Sequence, residues 1–335
     1  MIRPLRIAQV SPLYERVPPA LYGGTERIVS YLTEELVRRG HQVTLFASGD
    51  SSTRATLVAP APRALRLDST VNDELASHIM EMAQVFERSR DFDVIHAHVG
   101  YLAFPFARFT RGASLHTLHG RLDLPSIYPV FRHFRDEPLV SISHAQRLPL
   151  ADYPFSPRGG EYLAFLGRIS PEKRPDLAIA LAKRVGLPLK IAAKVDPVDR
   201  AYFEREIQPL LGHPLIEFVG EIGEEAKASF LGAALALVFP IDWPEPFGLV
   251  MIEALACGTP VIARRCGSVP EIIVSGRTGF IADTLEGMEL GVRRLDRIDR
   301  AKCRREVEAR FTVERMVDGY ETIYRGLAAQ AAASA

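Results

Sequence analysis

The chain has 335 residues, 41 Lys+Arg against 41 Asp+Glu, 47% hydrophobic and 24% charged residues, the profile of a globular protein that at roughly 150 residues per domain divides into two. Zero formal net charge removes the broad attraction of a nucleic-acid binder, and no run approaches the ~18 apolar residues of a membrane span, so neither nucleic acid nor a transmembrane segment is expected. Three cysteines, Cys257, Cys266 and Cys303, without a C-x-x-C pair, argue against a disulfide framework or structural zinc and for a reducing, cytoplasmic location; the opening MIRPLRIAQVS lacks the form of a signal peptide.

Residues 5–10 form a short Ile/Val-containing run that reads as a buried strand, followed by the loop SPLYERVPPALYGG. From Thr25 the apolar residues Ile28, Leu32 and Leu36 recur every fourth position and Gly40 ends the pattern, which predicts an amphipathic helix. HQVTLFAS reads as the next strand, and DELASHIMEMAQVFERS as a helix. Further strands are expected at 93–98, 113–118 and 139–142, an alternation that predicts a parallel sheet covered on both faces. LPLADYPFSPRGGEY, with three prolines and two glycines, marks a junction. Beyond it the rhythm restarts with strands YLAFLGR, LKIAAK, IEFVGEI, LALVFPI, PVIARR and GFIAD, and helices from Pro175, Asp199, Glu224 and Phe247. The expectation is an α/β protein of two Rossmann-like, doubly wound domains, 1–150 and 151–335, with a cleft between them. The Ala/Ser/Gln tail after Leu327 is expected to fray.

FPIDWPEPFGLVMIEALACGTPVIA carries the most chemistry. A strand ends in a Pro-rich loop, and Phe247 is expected to open a helix whose first turn, Gly248, Leu249 and Val250, leaves its backbone N–H groups accessible to an anion. Glu245 precedes this helix and Glu253 lies eight residues on; carboxylates there suit sugar hydroxyls, although two ordinary carboxylates on a capped helix would leave the same pattern. GRISPEKR puts Arg168 and Lys173 at a strand's carboxyl end, where two cations suit a diphosphate and a solvated basic loop is the plainer alternative. Gly23 and Gly24 open a helix directly and allow close backbone approach; a tight strand-to-helix connection would need the same residues. His96, His98, His116 and His119 gather at two strand ends, but no acidic residue follows at ligand spacing, so no metal site is expected. Asp91 and Asp93 form a D-x-D tripeptide that reads as strand entry.

EPFGLVMIE resembles the E-x7-E signature of retaining glycosyltransferases of family 4, which have the GT-B fold, and ACGTPVIARRCGSVPEII with GRTGF is similar to that family's continuation. YGGTERIVSYLTEELVRRGHQVTLFAS, DFDVIHAH, Leu118 to Gly120 and SISHAQR extend the likeness through the first half. The resemblance implies that Glu253 binds the ribose hydroxyls of a sugar nucleotide and that Glu245 contacts the donor sugar. It further implies that the amides of Phe247 to Val250 meet sugar and phosphate, and that Arg168 and Lys173 stabilise the departing diphosphate. His119 falls near the donor sugar and Gly23–Gly24 near the diphosphate and acceptor, and the resemblance also suggests that the last helix, FTVERMVDGYETIYRGL, crosses back toward the first domain. The implied activity is retaining, metal-independent transfer of a sugar, without a cofactor, from a nucleotide diphosphate sugar, a UDP-sugar for preference, to a carbohydrate, lipid or small-molecule acceptor. A nucleotide-sugar epimerase is one alternative. A binding relative with weak or no turnover is another, because the chain passes from SISHAQR almost directly into LPLADYPF, where the family carries a further strand and turn. His144, where acidic or amide residues are common, is a second departure.

Overall fold

The computed structural model describes residues 3–21, 23–108, 110, 112–120, 125–141 and 155–333. The chain divides into two compact units, Met1–Leu148 with Val313–Ala335, and Pro149–Thr312. The last helix, within Val313–Ala335, is thus grouped with the first unit. Ile142, the rest of SISHAQR including His144, and the junction through Pro154 lie outside the described residues.

In the first unit six parallel strands take the order β3-β2-β1-β4-β5-β6. They are β1 Arg6–Val10, β2 Gln42–Phe46, β3 Thr56–Val58, β4 Val94–Ala97, β5 Ala113–Leu118 and β6 Leu139–Ser141. The three-residue edge strand β3 carries no periodic signal in the sequence and is recognisable only through its pairing with β2. The second unit repeats the topology as β12-β11-β10-β7-β8-β9, with β7 Leu163–Arg168, β8 Leu189–Lys194, β9 Ile216–Gly220, β10 Ala236–Phe239, β11 Val261–Arg264 and β12 Gly279–Ala282. Both are doubly wound parallel sheets, as expected. In each the strand order reverses next to the first strand, at β1/β4 and at β7/β10, and it is at such reversals that open α/β sheets bind ligands beyond the strands' carboxyl ends.

Among the described residues, the helices of eight residues or more are α1 Gly24–Arg38, α2 Glu74–Glu87, α3 Pro175–Val185, α4 Glu224–Gly232, α5 Leu249–Ala256, α6 Leu285–Val292, α7 Arg300–Arg310 and α8 Val313–Ala333. Three depart from the sequence reading. The helix expected from Asp199 is instead one α turn, Arg200–Tyr202, followed by a π turn at Phe203–Ile207 and a 3-10 turn at Gln208–Leu210; Pro209 has no N–H to continue an α ladder. The tail does not fray after Leu327: α8 continues to Ala333, in keeping with the high helix propensity of its alanines. The helix expected from Phe247 starts at Leu249, because Gly248 adopts the left-handed φ of 74°.

Helix α2 buries one face and exposes apolar residues on another. Met82, Val85 and Phe86 pack against β1, β2 and β4 residues such as Val10, Phe46 and Ile95, while Leu75, Ile79 and Met80 stay exposed. Glu81 lies on the buried side, fully inaccessible, and neither carboxylate oxygen has a hydrogen-bond partner among the described residues. Burial pushes this carboxyl well above its ordinary 4.5. A carboxyl with a raised folded pKa holds its proton longer in the native state than in the unfolded one, so native stability falls as pH rises above about 4.5. Glu81→Leu should therefore raise the melting temperature at pH 8 and change it much less at pH 4. Equal shifts at both pH values in thermal denaturation would show that the carboxyl does not carry this penalty.

Candidate functional site

The second unit's reversal point is built by two loops, residues 169–174 after β7 and residues 240–248 after β10. They are joined by a main-chain hydrogen bond from Asp242 N–H to the Glu172 carbonyl, at 2.8 Å. Lys173 Nζ meets Glu245 Oε2 across them, and the Trp243 indole N–H donates to the same oxygen at 3.1 Å. The Lys173 ammonium also lies 5.7 Å from the Phe239 ring centroid and 5.6 Å from that of Trp243. Arg174 ties the same loops from outside: its guanidinium reaches Asp176 at 2.8 Å and Asp242 at 3.2 Å. It does so from φ 52°, the one non-glycine residue with positive φ among those described, a conformation that needs support from its surroundings.

Arg168 is not a bare cation. Its guanidinium meets Glu172 at 2.6 Å, Asp199 at 3.4 Å and Asp196 at 3.7 Å. Burial raises the Asp199 carboxyl despite this neighbour. Burial also works to raise Glu172, but hydrogen bonds from its own N–H, Ser170 and Arg168 bring it below its ordinary value. The two cations that the sequence places here are thus both present at the strand end, each already engaged with carboxylates.

Behind Glu245 the chain is packed tightly. A Cβ on Gly267 would collide with the Glu245 main chain, Ser268 N–H donates to the Glu245 carbonyl at 2.9 Å, and Ser268 Oγ donates to the Phe247 carbonyl at 2.7 Å. Phe247 is buried against Phe311 rather than forming part of the helix. Gly248 then takes its left-handed turn, and a Cβ there would lie 2.7 Å from Met251 Cε and 3.2 Å from Phe239. Having no side chain, Gly248 leaves α5 without a side-chain cap, so the first-turn amides of Leu249 and Val250, both half-buried, have no competing acceptor from that residue. Phosphate or a sugar hydroxyl suits such a turn. Glu253, one turn further into α5, is buried and faces Lys227 of α4 at 3.2 Å.

In the first unit Gly23 precedes α1 at φ 155°, and a Cβ on it would lie 2.7 Å from Pro19 Cβ; Gly24 opens the helix and is exposed. The loop ahead of them is held by Arg27 Nη2, which donates to the carbonyls of Pro19 at 3.2 Å and Leu21 at 3.3 Å. Burial pushes the carboxyl of Glu26, in the first turn of α1, up to about 7. His119 follows β5, and its Nε2 lies 2.8 Å from His98 Nδ1. Burial pushes the His119 imidazole down to about 3, so it is neutral at physiological pH. His96 and His98 share a face, with ring centroids 4.0 Å apart. His116 does have an acidic neighbour, Glu137 at 3.3 Å, which comes from just before β6 and so escapes any search by local spacing. Asp93 holds the entry to β4 against β1 by accepting from the Arg6 N–H at 2.8 Å and its guanidinium at 2.9 Å.

Several residues of these sites carry no flag in the sequence. Trp243, Arg174 and Lys227 acquire their partners only through folding. Gly267 and Ser268 are visible as a turn before Pro270, but nothing local says which carboxylate's main chain they hold.

Residues 22–157 match the family described as Glycosyltransferase Family 4, and residues 154–299 match Glycosyl transferases group 1. The D-inositol 3-phosphate glycosyltransferase of Streptomyces scabiei is 37% identical over 129 residues, 35% of this chain and 29% of that protein. The shared stretch is equally partial in the counterparts from Streptomyces avermitilis, at 28% of that protein, and Rhodococcus erythropolis, at 40%. A glycogen synthase of Mycobacterium tuberculosis is 27% identical over 347 residues, covering 82% of this chain and 81% of its own. Among solved structures, AviGT4, a glycosyltransferase involved in avilamycin A biosynthesis, superposes with a TM-score of 0.70 at 25% identity, over 97% of this chain and 98% of its own. The Anabaena protein HepE in complex with UDP-glucose gives 0.72 at 16% identity, over 96% and 100%. With matches running from residue 22 to residue 299 and two doubly wound sheets of the GT-B kind, the chain belongs to glycosyltransferase family 4.

Proposed function

We propose that the protein is a retaining, metal-independent glycosyltransferase that takes a sugar from a nucleotide diphosphate sugar and transfers it to a hydroxyl group of a carbohydrate, lipid or small-molecule acceptor. The observation that carries this reading is the Lys173–Glu245 pair at the β7/β10 reversal, directly ahead of the uncapped first turn of α5. A cation, a carboxylate and accessible amides placed side by side match the three chemical parts of a sugar diphosphate: phosphate charge, sugar hydroxyls and the bridging oxygens. The choice of a uridine nucleotide is supported by the solved complexes of HepE with UDP and with UDP-glucose.

In the proposed reaction the bond between the sugar's anomeric carbon and the β-phosphate oxygen breaks, and its electron pair stays with that oxygen. The acceptor hydroxyl oxygen bonds to the same face of the anomeric carbon, and its proton passes to the departing diphosphate. Lys173 and Arg168 offset the charge that grows on the diphosphate, with the Leu249 and Val250 amides on the same oxygens, so the charge compensation comes from the protein itself. Glu245 accepts hydrogen bonds from the sugar, Glu253 from the ribose, and His119 bonds a substrate hydroxyl. Gly23 and Gly24 let substrate approach the start of α1. Because Arg168 and Lys173 hold carboxylates beforehand, binding exchanges carboxylate for phosphate rather than filling an empty positive site.

Lys173→Ala and Arg168→Ala should each slow transfer by about a hundredfold or more, the usual effect of removing one group that meets developing charge. EDTA should leave the rate unchanged. A metal requirement, or donor turnover that proceeds to a new sugar nucleotide without any acceptor, would favour a different enzyme class.

The two glutamates separate binding from chemistry. Removing one partner of a buried ion pair costs about 3–5 kcal/mol, so Glu253→Ala would confound affinity with folding because Lys227 is left behind. Glu253→Gln is the cleaner probe and should weaken bare UDP by about tenfold in calorimetry, whereas Glu245→Gln should reduce kcat with UDP affinity nearly intact. Unchanged UDP affinity in folded Glu253→Gln would remove the ribose assignment.

A further inference from the structure

Trp243 is the only tryptophan in the sequence, and a tight turn brings it onto the carboxylate of Glu245. Pro244 stands between the two residues, and the Glu245 N–H donates to the Trp243 carbonyl at 2.7 Å. A bond from residue i+2 back to residue i closes a γ-turn, and the fixed negative φ of proline admits only the inverse form. The side chains at the two ends of this turn meet as well: the indole N–H donates to Glu245 Oε2 at 3.1 Å.

Lys173 reaches the same oxygen from the loop after β7, and its ammonium lies within cation–π range of the Trp243 and Phe239 rings. Among the described residues both side-chain donors therefore fall on Oε2. An ionised carboxylate offers about four acceptor positions over its two oxygens, and the Glu245 side chain is 11% exposed, so the carboxylate retains capacity for a hydroxyl from outside.

The two donors respond differently to an incoming phosphate. An ammonium on a flexible four-carbon stem can turn from one anion to another. The indole N–H is a single neutral donor, tied to Glu245 by the turn in the main chain. If Lys173 alone held the carboxylate, its move to a phosphate would release Glu245 as the sugar arrives.

We propose that Trp243 is a positioning residue that keeps Glu245 anchored by Oε2 while Lys173 turns to the donor diphosphate, so that Oε1 meets a hydroxyl of the donor sugar. This rests on the glycosyl-transfer reading for the diphosphate and the sugar, but not for the bond between indole and carboxylate.

Because Trp243 is the single tryptophan, its indole proton gives one unambiguous signal in the full chain labelled with nitrogen-15 tryptophan. The signal is expected downfield of its position in the urea-unfolded chain, to move upfield in Glu245→Gln, where the acceptor loses its charge, and to stay downfield when UDP is added. Trp243→Phe keeps an aromatic ring beside Lys173 and removes the N–H. In calorimetry it should weaken UDP-glucose by about tenfold, the loss of one hydrogen bond to a charged group, and leave UDP within about twofold. In a Glu245→Gln background the same substitution should change UDP-glucose affinity by less than about twofold, because its effect runs through that carboxylate. A tryptophan that only supports the fold would weaken both ligands together and would do so in either background, which would overturn the proposal. So would an indole signal that ignores Glu245→Gln or that moves to the unfolded position when UDP binds. The wild-type spectrum decides the last of these even if the variants do not fold. A downfield indole signal in a wild-type chain that binds neither UDP nor UDP-glucose would uphold the indole–carboxylate bond and defeat the uridine-donor reading alone.

Discussion

The carboxylate of Glu245 is the point on which the second unit's reversal site depends. It receives Lys173 from the loop after β7 and the indole of Trp243 from its own loop, while Gly267 and Ser268 press on its main chain from behind. A carboxylate held this way cannot move without moving both loops, which carry Arg174 and the left-handed Gly248 and begin beside Arg168 at the end of β7. The parallel sheet supplies the reason for the location. Reversal of strand order between β7 and β10 sends consecutive crossovers to opposite faces and leaves a crevice at the carboxyl ends that no helix covers.

Charge in this crevice is arranged in pairs rather than as a positive pocket. Arg168 faces three carboxylates and Lys173 faces one. The pairs are partly buried, with 30% and 28% of the side chains exposed at Arg168–Glu172 and 21% and 11% at Lys173–Glu245. On the proposed reading, an incoming phosphate takes the place of a carboxylate beside each cation. The buried pair of Glu253 with Lys227 differs: it lies deeper, and its loss would leave a charge without a partner.

The first unit solves the opposite problem, polar groups with no access to water. Gln9, three imidazoles, a threonine and two tyrosines are linked by hydrogen bonds in a single chain. Glu81 is the contrast, a buried carboxyl whose oxygens have no partner among the described residues. Burial shifts His96, His98, His119, Tyr324 and Glu81 toward their neutral forms.

The positions of most strands, the doubly wound class and the glycosyltransferase signature were legible in the sequence because each has a local cause: apolar runs for buried strands, fourfold spacing for α1, and glycines where the backbone must turn or approach closely. The EPFGLVMIE segment set Glu245 ahead of a helix and Glu253 within it, although the left-handed Gly248 delayed the helix to Leu249. Partnership was not legible. Lys173 and Glu245 are 72 residues apart, His96 and Tyr324 228 apart, and Gln9 and Tyr324 315 apart. No local pattern marks such pairs, because a side chain's hydrogen-bond partner is decided by which strands lie side by side and which helix closes over them. The sequence by itself determined which residue types stand at the strand ends. Only the tertiary structure decided which charges are already paired and which carboxyl is buried without a partner among the described residues, since burial and long-range contact, not composition, set the state of an ionisable group.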